Sequence, residues 1–137
     1  MIDFAADEAQ LAAVIAHELA HNILRHRARL DAVGIHRGIL GQFGRNARLI
    51  RQTEVEADQL SVYLMDRAGY DPQAIITFWE RYDRTHPFGF LNAPTHPGPE
   101  NRIAMVRTEI ARIAAMKAQG RSPRPAFMEG PALPELR

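Results

Sequence analysis

The 137-residue sequence contains no cysteine. That excludes disulfides, thiolate metal sites and a Cys nucleophile, so any metal must be held by imidazole and carboxylate. No apolar run approaches the ~18 residues of a membrane-spanning helix, and no transmembrane segment is expected. Charge of one sign is also missing. The formal net charge of +1 lacks the electrostatic footprint of a nucleic-acid or anionic-membrane binder, so no nucleic-acid partner is expected. Lysine is nearly absent, one Lys against sixteen Arg, and the arginines alternate with acids instead of forming a phosphate-binding block. The opening Met1-Ile2-Asp3-Phe4 has neither a basic n-region nor an apolar h-region, so it does not read as a signal peptide. What is present is 46% hydrophobic content in a chain long enough for one domain with its own core.

The periodicity of that content is helical. Asp7-Glu8-Ala9-Gln10 reads as a capping box ahead of an Ala-rich helix running to about Leu30, with Leu11, Val14, Ile15, Leu19 and Ile23 on its buried side. Residues 34–46 carry four glycines at intervals of three or four, which favours a loop over a helix. A second helix is predicted over about 47–68, stopping at Gly69. Asp71-Pro72 then starts a third, with Asp as N-cap and Pro at the first helical position, and Phe78, Trp79 and Tyr82 form its core-facing stripe. Three prolines and two glycines make residues 86–98 a loop, and Pro99 opens a last helix in which Ile103, Val106, Ile110 and Ile113 recur at core spacing. There are no internal repeats. Residues 120–137 are Pro-rich and aperiodic and are expected to be a tail that is disordered or merely draped on the surface. The fold class is therefore mainly α, about four helices within residues 1–119.

Inside the first helix stands His17-Glu18-Leu19-Ala20-His21. Residues four apart lie one above the other on a helical face, so His17 and His21 can grip a single ion. Glu18, about 100° around the helix from His17, can reach a water on that ion. This is the HExxH zinc arrangement, two ligands and a general base. Composition alone would produce it by accident in about one chain in sixty, so the motif needs a third ligand before it carries weight. A catalytic zinc takes three protein ligands and leaves a position for water. A metzincin would place Gly at position 24 and His at position 27, where this chain has Leu24 and Arg27. The remaining source is Glu54-Val55-Glu56-Ala57-Asp58 on the second helix. Glu54 and Asp58 share a face, so one can bind metal while the other orients a ligand imidazole. Glu54 as ligand and Asp58 behind a histidine gives each acid a task. Glu56 falls on another face and reads as a solvent residue. His26, five past His21, is rotated off the ligand face and reads as a surface residue, as does His36.

Taken in order, His17-Glu18-Leu19-Ala20-His21, Thr53-Glu54-Val55-Glu56-Ala57-Asp58, Ala68-Gly69-Tyr70-Asp71-Pro72 and Thr95-His96-Pro97-Gly98-Pro99-Glu100-Asn101-Arg102-Ile103 resemble the zinc endopeptidase family that contains the CAAX prenyl proteases and heat-shock protein X. Within it the match leans toward the soluble branch of outer-membrane-assembly and mitochondrial quality-control proteases. The resemblance covers residues 11–113. It implies a zincin-like helical core, with one zinc between the first and second long helices on His17, His21 and Glu54. Glu18 is then the catalytic acid/base, and the substrates are unfolded or misassembled proteins. It also implies that His96 lies near the metal, as a fourth ligand in a latent state or as an oxyanion hydrogen-bond donor. Arg102 would orient an acid of the site, and the location would be a bacterial periplasm or envelope. Such proteases pair extended substrate with a β-strand N-terminal to the HExxH helix. The sixteen residues before His17 read as cap and helix, so substrate-pairing strands are expected to be absent, and residues 1–119 read as the helical part of a larger peptidase. A latent or chaperone-like zinc module that binds unfolded protein without cutting it, and a structural zinc domain, are the alternatives.

Overall fold

The computed structural model describes residues 2–35, 44–86 and 98–129. They form five α-helices: α1 (Glu8–Ile23), α2 (His26–Ala32), α3 (Gly44–Ala68), α4 (Gln73–Thr85) and α5 (Pro99–Ala118). Single 3-10 turns sit at Ile2–Phe4 and Ala126–Met128, and there is no strand among the described residues. The mainly α expectation holds. The fifth helix arises because the first predicted helix is two.

α1 starts where its cap dictates. Asp7 accepts a hydrogen bond from the Gln10 N–H at 2.8 Å, and Gln10 Oε1 accepts from the Ala6 N–H at 3.0 Å. The helix stops at Ile23, because Arg25 adopts the left-handed conformation (φ 53°, ψ 37°) and redirects the chain into α2. A non-glycine residue there carries a steric penalty of about 1–2 kcal/mol. The break swings His26 and Leu30 inward, to 0% and 2% exposure.

The buried face of α1 also differs from the aliphatic pattern. Ile15, Leu19 and Ile23 are about half exposed, whereas Gln10, Ala13, Val14, Ala16 and Ala20 are buried. Small residues let two helix axes approach closely. Ala20 and Leu24 pack with Ala57 and Leu60 of α3, and Ala20 and Ala57 are both fully buried. The α1–α3 pair is the most extensive helix contact and forms the spine of the fold.

α3 begins at Gly44, so residues 44–46 belong to a helix, while 36–43 of the expected glycine-rich loop lie outside the described residues. It ends as its sequence predicts. Gly69 at φ 81° permits the Tyr70 N–H to bond back to the Met65 carbonyl at 3.0 Å, which closes the last turn. Asp71 Oδ1 then accepts the Gln73 N–H at 2.9 Å, although Pro72 sits at the cap, one position earlier than expected.

α4 and α5 complete the bundle. Ile75, Ile76, Phe78 and Trp79 of α4 meet Val62, Tyr63 and Met65 of α3 and Val106 and Ile113 of α5 in the main core. The hydroxyl of buried Tyr63 donates to Glu109 Oε2 at 2.6 Å; burial, then this bond, pushes the phenol well up. Pro125 is fully buried, Phe127 packs against the Ala20–Leu60 cluster, and Glu129 pairs with Arg112 and Arg121. Pro125 and Phe127 thus hold this stretch against the helices; 130–137 lie outside the described residues.

Candidate metal centre

Where α1 faces α3, three side chains converge. His17 Nε2 and His21 Nε2 are 3.0 Å apart, His17 Nε2 is 3.5 Å from Glu54 Oε2, and His21 Nε2 is 3.4 Å from Glu54 Oε1. One turn of α1 separates the imidazoles, and the alanine-lined approach of α3 brings Glu54 beneath both. Zinc bonds of about 2.0–2.1 Å in a tetrahedron put donor atoms about 3.3–3.4 Å apart. The observed separations fit that spacing, and two imidazoles with one carboxylate are a zinc-type donor set. Among the described residues these three form a group able to hold one metal ion.

The acids around the ligands are held in turn. Asp58 Oδ1 lies 3.0 Å from His17 Nδ1, on the side away from Glu54. The contact is an ion pair when His17 is protonated. Asp58 Oδ1 also accepts a short hydrogen bond from Arg102 Nη2, and the Arg102 guanidinium stacks over the Trp79 ring at 3.7 Å. Both charged groups are buried, Asp58 at 2% exposure and Arg102 at 4%. Burial disfavours a charged His17, but the Asp58 and Glu54 carboxylates outweigh burial and push it up to about 9. A site that concentrates negative charge on an imidazole in this way favours a cation.

Glu18 is exposed, one position past His17 and off the face that meets α3. His96 lies outside the described residues, as does His36. Arg102, expected to pair with an acid near the site, bonds Asp58.

Two residues read as surface groups are neither. His26 is fully buried, with Nδ1 2.8 Å from His21 Nδ1 and Nε2 3.1 Å from Glu56 Oε2. Glu56 is 8% exposed and accepts hydrogen bonds from Arg29 Nη1 at 2.6 Å and Gln52 Nε2 at 2.9 Å. Burial opposes its charge, but the bonds from His26, Arg29 and Gln52 prevail and hold the carboxyl down at about 2. Extending a straight helix through Arg25 produced the error, since the left-handed residue resets the face on which His26 lies. The available signal was Glu56 itself, an acid on the helix that packs against α1.

The model of peptidase family M48 matches residues 1–44 and 37–110. The chain is 33% identical to the β-barrel assembly-enhancing protease of Escherichia coli, over 85% of this chain and 30% of that protein. It is 34% identical to a mitochondrial metalloendopeptidase of Schizosaccharomyces pombe, over 70% of this chain and 35% of that protein. A mitochondrial metalloendopeptidase of Saccharomyces cerevisiae is 30% identical over 75% of this chain and 37% of its own length. The chain thus spans about a third of the curated relatives it matches. No solved structure matches it.

Proposed function

The chain belongs to peptidase family M48, and from that premise we propose that it is the zinc-binding catalytic core of a metalloendopeptidase acting on unfolded or misassembled proteins. The observation that carries the proposal is the convergence of His17, His21 and Glu54 at tetrahedral donor spacing, with an exposed carboxylate, Glu18, on the next position of the same helix. His17, His21 and Glu54 would hold the ion, and Asp58, locked by Arg102, would fix the His17 ring. Bound zinc supplies Lewis acidity, which lowers the pKa of water toward 7 and polarises a scissile carbonyl.

The remaining chemistry falls to the chain. Glu18 accepts a proton from the attacking water and returns it to the leaving amine, a task for a carboxylate with access to solvent. Its partners in the cluster are each committed elsewhere: Glu54 to the two histidines, Asp58 to His17 and Arg102, Glu56 to His26 and Arg29. A cell-envelope setting is part of the proposal and rests on relatives named for β-barrel assembly. No helix among the described residues is long and apolar enough to cross a membrane.

The test is cleavage of an unfolded protein such as reduced, denatured casein. Zinc-loaded chain is expected to cut it, and both Glu18→Gln and a chelator are expected to abolish cutting while Glu18→Gln keeps its zinc. Cleavage by Glu18→Gln at the wild-type rate would refute the assignment of the base. Zinc binding without any cleavage would favour a chaperone-like module.

A further inference from the structure

The two histidines of the site are supported differently. Behind His17 stands a carboxylate, Asp58. Behind His21 stands another imidazole, His26, with Nδ1 facing Nδ1 at 2.8 Å. An imidazole that binds a metal through Nε2 is neutral and carries its proton on Nδ1. His21 would therefore donate from Nδ1, and the His26 nitrogen 2.8 Å away must offer a lone pair to receive it. Neutral His26 then keeps its proton on Nε2, which points at Glu56 Oε2 at 3.1 Å. Ionised Glu56 only accepts, and its oxygens also take Arg29 and Gln52. Every proton along this chain has one place.

We infer that His26 is a positioning residue for the metal site: backed by Glu56 and Arg29, it locks His21 in the Nδ1–H tautomer and aims Nε2 toward Glu54. Each histidine of the pair thus ends on a carboxylate–arginine unit, the buried Asp58–Arg102 directly for His17 and Glu56 with the half-buried Arg29 through His26 for His21. The inference rests on the reading of His17, His21 and Glu54 as metal ligands. The competing role is structural, in which His26 only ties α2 to α3.

Zinc affinity, measured by chelator competition on the full chain, separates the two roles. Gln at position 26 can accept from His21 and donate to Glu56; Phe fills the space but offers no acceptor. His26→Phe is expected to weaken zinc about 10–100-fold, and His26→Gln to stay within about threefold of wild type. Wild-type affinity in a folded His26→Phe variant, or equal weakening in both variants, would overturn the positioning role. Long-range 1H–15N NMR on zinc-loaded wild type gives a second reading that needs no variant to fold. It should find His26 protonated on Nε2 with Nδ1 as acceptor, and a proton on His26 Nδ1 would contradict the inference. A wild-type chain without zinc affinity would instead overturn the ligand assignment itself, and the relay with it.

Discussion

Replacing Arg102 with methionine should be among the most damaging single changes outside the apolar core. Arg102 and Asp58 are both nearly inaccessible to water, and the guanidinium pairs with Asp58 alongside His17. Removing one member of a buried charge pair costs about 3–5 kcal/mol, because the other charge stays buried. The stack on Trp79 is worth about 0.5–2 kcal/mol, part of which a methionine sulfur against the ring retains. Because His17 remains beside Asp58, the pair contributes at the low end of its range. With part of the stack lost, the expected loss is about 3–4 kcal/mol, a large share of the 5–15 kcal/mol typical of a domain. Urea unfolding of the metal-free chain measures it directly, and the melting temperature should fall by roughly 10 °C or more. Adding Asp58→Asn removes the stranded charge, so the double variant should recover about 1 kcal/mol or more. A single variant within about 1 kcal/mol of wild type, or a double variant no more stable than Arg102→Met, would refute this account of the pair.

Two further outcomes follow from the fold. Arg25→Gly should stabilise by about 0.5–1 kcal/mol, since it relieves the left-handed penalty and loses only part of that gain to a freer unfolded chain; destabilisation in urea would mean that α1 and α2 are not broken there. Tyr63 keeps its proton in the folded state at pH values where an unfolded tyrosine loses it. Its contribution is fully present below the unfolded value of about 10 and is lost as pH rises above it, so stability should decline on the alkaline side. Tyr63→Phe should flatten that decline, and an unchanged slope in thermal melts from pH 9 to 11 would contradict the assignment.

Much of this architecture was legible in the residues because the signals were local. Asp7, Gly69 and Pro99 mark helix ends through chemistry that acts within one turn, and each marks an end in the structure. His17, His21 and Glu54 were readable for a related reason. Helical geometry sets the spacing within a motif, and only the meeting of α1 with α3 had to be supplied. What was not legible depended on one backbone torsion and on side-chain size. Arg25 carries no signature of a left-handed residue, so a straight helix placed His26 outside; Glu56, on a different face from Glu54, read as a solvent residue because nothing local showed that α2 packs on that face. Ile15, Leu19 and Ile23 form a periodic stripe that looks like a core face, yet the alanines beside them set the packing, because close helix approach selects volume over hydrophobicity. The anchoring of Pro125 and Phe127 was hidden by the prolines around them, which break periodicity without preventing burial.

If α1 and α3 together hold one zinc ion on His17, His21 and Glu54, the metal stays with the chain at a fixed stoichiometry. Elemental analysis of the purified chain after zinc loading and extensive dialysis tests it most directly. One zinc per chain is expected in wild type and in Glu18→Gln, and essentially none in His17→Ala, His21→Ala or Glu54→Ala. Zinc at full occupancy in any of the last three, with the fold intact, would contradict it.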